Sequence, residues 1–195
     1  GDGYACALLG DNSLRCTGSL QGVNAAANDY TRISGGRQHA CGLRVSGAVR
    51  CWGVSAYGKL LAPFGQFREV TAGTDHSCAL REDGSITCWG LDESGQTRSP
   101  SGVGYLAIAA SAGGHHTCAL DAARAIVCWG AAGTDQTSAP AGTGYRLLAV
   151  TATGGCSTRT WSSSMERRGD RRRRSSCTIR RTSGAWSIRD CATPV

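Results

Sequence analysis

The chain is predicted to be all-β, a partial β-propeller of about four blades with an irregular Arg-rich C-terminal tail, and three observations predict it. Two cysteines stand ten residues apart four times over: Cys6 with Cys16, Cys41 with Cys51, Cys78 with Cys88, and Cys118 with Cys128. In three of these pairs the second cysteine opens Cys-Trp-Gly, which places Trp52, Trp89 and Trp129 beside Gly53, Gly90 and Gly130. Each unit after the first opens on a Gly-rich corner and a histidine: Gly35-Gly36-Arg37-Gln38-His39, Gly73-Thr74-Asp75-His76 and Gly113-Gly114-His115-His116. Self-similarity at a period of some tens of residues marks solenoids, propellers and arrays.

The first cysteines advance by 35, 37 and 40 residues, which sets units near 1–34, 35–72, 73–112 and 113–153. In the first unit Tyr4 stands where the others have His, and Thr17 where they have Trp, so that copy is degenerate. The core of a unit reads as a β-hairpin. Two short runs rich in β-formers flank Glu82-Asp83-Gly84, and Gly supplies the positive φ of a three-residue loop. Pairing Arg81 with Ser85 around that loop sets Cys78 opposite Cys88. Opposed residues at a non-hydrogen-bonded site lie roughly 4.5 Å apart at Cα, inside the disulfide range of about 4.4 to 6.8 Å, so a bridge is geometrically open to each pair. After Cys-Trp-Gly comes a polar loop, then Pro63, Pro100 or Pro140, then an aromatic expected to start a strand: Phe67, Tyr105 and Tyr145, with Tyr30 in the same place but no preceding Pro.

Small twisted sheets with a recurring Trp and Gly-rich turn bury their faces against their neighbours in a radial array. The units resemble the repeats of the regulator of chromosome condensation family: Gly-x-x-His, an Ala-Leu strand, Asp-Gly, a hydrophobic strand, Trp-Gly and Gly-Gln. The third unit carries the pattern from His76 through Asp83-Gly84 and Trp89-Gly90 to Gly95-Gln96. The cysteine-bearing variety is similar to the ectodomains of crinkly-type receptor kinases and to repeats of bacterial exported proteins. The resemblance covers roughly Gly1 to Thr153. It implies closure at seven blades, about 270 residues at this repeat length, so the expectation is a fragment that begins inside a blade and lacks preceding sequence.

The chain divides accordingly into the blades, 1–153, and a tail, 154–195. Residues 1–153 hold 11 basic and 11 acidic residues, whereas the tail holds 10 Arg against Glu166, Asp170 and Asp190 and carries the whole net charge of +7. The run Arg167-Arg168-Gly169-Asp170-Arg171-Arg172-Arg173-Arg174 is the one place where nucleic-acid binding is open, since Arg clusters supply phosphate contacts; a solvated extension is the alternative. A further reading is that the tail is a frameshifted fifth blade. Gly154-Gly155 opens a unit in register, and reading from the third bases of the codons permits His and then Ser or Thr at the expected places. Met165 followed by Glu166 then forces Gly, preceded by a codon that allows Asp. The match is partial: the position expected for cysteine is not Cys, and Cys-Trp-Gly does not follow in that frame.

The eight paired cysteines read as a disulfide framework made in an oxidising compartment; the alternative is reduced, buried thiols filling blade cores in an intracellular protein. Each His-x-Cys places both side chains on one strand face, so His76, Cys78 and Cys88 are a conceivable metal trio. The same trio recurs as His39, Cys41, Cys51 and as His116, Cys118, Cys128, and a property repeated in every blade is architecture rather than a site. No metal or cofactor is therefore expected. His39, His76 and His116 are assigned to hydrogen bonding with backbone at the Gly corner, and the three Trp to packing between blades. No nucleophile elbow, phosphate-binding loop or paired-carboxylate signature is present, and no enzyme is expected. No apolar run approaches the roughly 18 residues of a membrane span.

Function is then expected from surfaces. The loops Val54–Leu61, Leu91–Ser99 and Ala131–Ser138 vary between units, with Tyr57, Asp92, Glu93, Gln96, Asp135 and Gln136 as candidate contacts to a protein partner. The leading expectation is a non-enzymatic protein-interaction module of an extracellular or cell-surface protein. The resemblance also implies two alternatives, a guanine nucleotide exchange factor acting on a small GTPase at chromatin and an inhibitor of a secreted enzyme. A neutral set of blades weighs against the first, because a chromatin binder is basic; the second calls for aromatic anchors, of which the loops hold only Tyr57.

Overall fold

The computed structural model describes residues 3–20, 22, 29–131 and 137–151, with the backbone of 156–157, 177–182 and 185–191. It contains two compact units, Gly1–Thr160 and Trp161–Val195. The first unit is a succession of small antiparallel sheets. It opens with the hairpin β1 (Tyr4–Leu8) and β2 (Leu14–Gly18). Three three-stranded meanders follow: β3 (Tyr30–Gly35), β4 (His39–Arg44) and β5 (Val49–Gly53); β6 (Glu69–Ala72), β7 (His76–Leu80) and β8 (Ile86–Gly90); β9 (Ala107–Ala110), β10 (His116–Leu120) and β11 (Ile126–Gly130). A short ladder of β12 (Ala149–Val150) with β13 (Cys156–Ser157) begins a further sheet. In the second unit β14 (Cys177–Thr182) pairs with β15 (Ala185–Cys191). These two strands lie in the tail, whose Arg run lies outside the described residues. Among the described residues no helix is long and apolar enough to cross a membrane.

The middle strand of each meander is buried on both faces: all five residues of β7 and of β10, and the first five of β4. That pattern follows from neighbouring sheets covering each face, and the core is accordingly divided between blades. Trp89 of one blade packs with Cys41, Leu43 and Phe67, and Trp129 of the next with Cys78, Leu80 and Ile108. Trp52 joins Leu14, Tyr30 and Ala40, with the Tyr30 ring edge-on at 5.7 Å. Each Trp thus seats on the cysteine-bearing hairpin of the preceding blade.

The hairpins have the expected register. Arg81 N donates to Ser85 O at 2.9 Å, Gly84 has φ +79°, and Cys78 lies opposite Cys88. The equivalent turn residues Asn12, Gly47 and Arg124 share the left-handed conformation, with φ of 61°, 80° and 60°. In all four, the turn residue's carbonyl accepts an N–H from the aromatic that opens the next blade: Tyr30 on Asn12, Phe67 on Gly47, Tyr105 on Gly84 and Tyr145 on Arg124, at 2.8–3.4 Å. This corrects one expectation. Phe67 and Tyr105 lie two residues ahead of β6 and β9 rather than starting them, whereas Tyr30 does start β3.

Candidate functional site

The four cysteine pairs are disulfides, Cys6–Cys16, Cys41–Cys51, Cys78–Cys88 and Cys118–Cys128, with Cα atoms 4.0–4.1 Å apart across directly opposed register positions. Both sulfurs of each His-x-Cys trio are consumed in a bridge, so the trio has no thiolate to offer a metal.

The histidines depart from their expected role. His39 Nε2 lies 2.9 Å from Ser77 Oγ and His76 Nε2 lies 2.7 Å from Thr117 Oγ1, so each ring meets a side-chain hydroxyl of the next blade rather than corner backbone. Among the described residues backbone is the partner in the degenerate copy, where the Tyr4 hydroxyl shares its one proton between the carbonyls of Gly36 and His39 at 2.7 and 2.5 Å. All three His are fully buried. Burial, with a smaller contribution from the Lys59 charge, pushes the His39 pKa down to about 4; burial, with neighbouring His115, does the same to His76.

The loops after Cys-Trp-Gly share one scaffold. The glycine must lack a side chain: a Cβ on Gly90 would lie 2.6 Å from Asp75 O, and φ there is +107°. Seven residues beyond each Trp, a main-chain carbonyl accepts the indole N–H of the following blade, Lys59 O from Trp89 and Gln96 O from Trp129, both at 3.0 Å. Lys59 takes the place that Gln96 holds in the next loop, and being charged it needs a counter-ion: it is 1% exposed and its Nζ donates to Asp75 Oδ1 at 2.7 Å. Gln96 is equally buried at 1%, and its Oε1 accepts from Ser94 N at 2.7 Å. Gln96 is therefore a loop-shaping residue and not a surface contact.

On this common scaffold the loop surfaces differ. The second loop is polar and internally tied. Asp92 Oδ1 accepts from Thr97 N and Asp92 Oδ2 from Arg98 Nε, at 3.0 and 3.1 Å, and those bonds hold its carboxyl below the usual range. Glu93 is exposed. The first loop is apolar. Val54, Tyr57, Leu61 and Phe64 are 48%, 61%, 76% and 100% exposed, and its single charged residue, Lys59, is buried. Tyr57 sits at φ 59°, ψ 18°, a left-handed conformation that non-glycine residues rarely adopt, inside the turn Ala56–Gly58. Phe64 was missed because the sequence reading ended that loop at Leu61. The signal was present: Phe64 directly follows Pro63, whereas the strand-leading aromatic is Phe67, so Phe64 has no repeat role to explain it. Asp135 and Gln136 lie outside the described residues.

Comparison with known proteins places these blades. The description "Regulator of chromosome condensation (RCC1) repeat" matches residues 30–59 and 67–96. A search of curated proteins returns no match. Among solved structures, the entire ectodomain of the Physcomitrella patens receptor kinase CR4 is similar at 29% identity and a TM-score of 0.64, over 78% of this chain and 46% of that one. The CRINKLY WD40 ectodomain of the Arabidopsis thaliana receptor kinase ACR4 is similar at 28% identity and a TM-score of 0.55, over 67% and 47%. Prp20p of Saccharomyces cerevisiae, at 19% identity and a TM-score of 0.59 over 70% and 43%, shares the fold. The chain spans less than half the length of each of these three structures. Residues 30–59 and 67–96 match regulator of chromosome condensation repeats, and the blades they help to build are part of a β-propeller.

Proposed function

We propose that this chain is a non-enzymatic protein-interaction module of an exported or cell-surface protein, and that the 54–64 loop is its principal contact. The observation that carries this reading is the asymmetry between equivalent loops. One scaffold presents Asp92, Glu93 and Arg98 in one blade, and Tyr57, Leu61 and Phe64 without any exposed charge in the blade before it. Exposed apolar side chains concentrated on a shaped loop are a partner-binding signature, and a strained Tyr57 is the kind of outlier that collects at such sites. Export is supported by the four bridges and by the similarity to two receptor ectodomains. The printed description of Prp20p concerns its binding to Gsp1p and histones. Exchange-factor activity at chromatin is disfavoured here because residues 1–153 are electrically neutral.

A second reading, inhibition of a secreted enzyme, gains from Phe64, which gives the loop a second aromatic fit to enter a cleft. Both readings use the same surface. The test is an affinity capture from secreted fractions with the disulfide-bonded chain, followed by titration calorimetry with the captured partner. Tyr57→Ser and Phe64→Ser are expected to weaken binding about 30-fold or more each, as centrally placed aromatic anchors do, with Glu93→Ala near wild type. Undiminished binding by both aromatic variants rejects the proposed surface.

A further inference from the structure

At the blade interfaces a pairing rule holds between the residue two before one first cysteine and the residue one before the next. His39 meets Ser77, and His76 meets Thr117. Where Tyr4 replaces His, its hydroxyl bonds backbone and the matching residue of the next blade is Ala40, which has no hydroxyl. His goes with a hydroxyl on the following blade, and Tyr goes without one. His116 is the fourth member. It is 0% exposed, and among the described residues neither of its ring nitrogens has a hydrogen-bond partner, whereas His39 and His76 lack one only at Nδ1. A buried imidazole with no partner at either nitrogen is a place where a donor or acceptor belongs.

We propose that His116 is the seat of a fifth blade that brings a Ser or Thr hydroxyl to its Nε2, and that this blade is encoded in the alternative reading frame from codon 155. The first strand for such a blade stands ahead of codon 155: β12 (Ala149–Val150) follows Tyr145 as β9 (Ala107–Ala110) follows Tyr105. The shifted frame permits the missing chemistry. The third base of codon 157 with the AC of Thr158 spells a His codon when that base is C. The third base of codon 158 with the CG of a CGN codon for Arg159 spells Ser or Thr when that base is T or A. Eight codons after that His, the last base of Met165 and the first two of Glu166 spell GGA, a glycine. In the complete blades Gly47 and Gly84 also stand eight residues after His39 and His76, at the left-handed turn position. The buried, unpartnered ring calls for a hydroxyl on the next blade, and the codon pattern independently permits the His and hydroxyl pair and forces the turn glycine.

The test has two arms. Resequencing across codon 155 is expected to show one base gained or lost, with His and then Ser or Thr in the corrected frame. Confirmation of the present frame, or any other residue at either of those codons, overturns the proposal. In the corrected-frame protein, His116→Ala and the new hydroxyl residue→Ala are each expected to lower the melting temperature by about 2–4 °C, and the double variant no further than either alone. Additive losses overturn the proposal. Should either variant not fold, the nitrogen-15 resonance of His116 Nε2 decides it in the unsubstituted proteins. A shift between the corrected-frame and present chains supports the hydroxyl contact, and an unchanged resonance refutes it.

Discussion

His76 Nε2 stands 2.7 Å from Thr117 Oγ1, a wholly buried bond between residues 41 apart in sequence that ties one blade to the next. Replacing Thr117 by Val keeps the shape and removes the hydroxyl, which leaves His76 without a partner at either nitrogen. The expected cost is about 1–3 kcal/mol in urea unfolding, with Thr117→Ser close to wild type. Equal stability of all three proteins contradicts an energetic role for the pair.

The same buried rings make the blades acid-sensitive. His39 and His76 titrate near 4 when folded, against an ordinary value of 6.5, because burial disfavours the charged imidazolium. Between those values the unfolded chain binds more protons, so stability is complete above about pH 6.5 and declines as pH falls towards 4. Each ring contributes up to about 3 kcal/mol to that decline. Urea midpoints measured from pH 7.5 to 4 are expected to fall, and His39→Gln should flatten the slope. A midpoint independent of pH over that window excludes this origin.

Arg124 occupies a turn position that Gly47 and Gly84 fill in the preceding blades, and it does so at φ +60°. The left-handed conformation costs a residue bearing a Cβ roughly 1–2 kcal/mol, and Gly avoids that cost. Arg124→Gly keeps the turn's main-chain bonds to Asp121 and Tyr145 and is expected to stabilise by about 1 kcal/mol after the entropy lost on fixing a glycine. Calorimetric melting checks the sign. A lower melting temperature would show that the Arg side chain makes a compensating contact.

The buried Lys59 pairs with the half-buried Asp75 at 2.7 Å where the next blade uses an uncharged Gln96. Asp75→Asn strands an ammonium in the core and is expected to cost about 3 kcal/mol or more, whereas Lys59→Gln adopts the neighbouring blade's solution and costs about 1 kcal/mol. Lys59→Gln also removes a positive charge that depresses His39, so the His39 titration moves upward in NMR. Unfolding curves in which Lys59→Gln is the worse variant overturn this ranking.

The four bridges each span ten residues and limit the unfolded hairpin by about 2–3 kcal/mol apiece. The intact chain from an oxidising host is expected to weigh less than the fully reduced chain by two hydrogens per bridge. Peptide mapping should place each bridge within one hairpin. Free thiols at the eight positions contradict both the pairing and the export reading.

How far the sequence could be read depended on the range of the interaction. The Cys78–Cys88 pairing was legible because both partners lie in one hairpin, whose register a three-residue loop sets. The hold of the turn carbonyls on the amides of Tyr30, Phe67, Tyr105 and Tyr145 was not, because each of those bonds joins two blades. Gln96 looked like a surface loop residue, since nothing local reveals that its side chain turns inward beneath the loop. Ser77 and Thr117 went unnoticed beside their cysteines, although they receive the histidines of the blade before.

Sequence alone was enough for the repeat, the four cysteine pairs, the hairpin turns and the neutral charge of the blades, because each is a short-range or compositional property that any copy of the unit carries. The partners of His39 and His76, the burial of Lys59 with Asp75, and the exposure of Phe64 were decided by folding. Each depends on which residues two adjacent blades bring together across 16 to 41 positions of chain or leave facing solvent, and no local pattern encodes that distance.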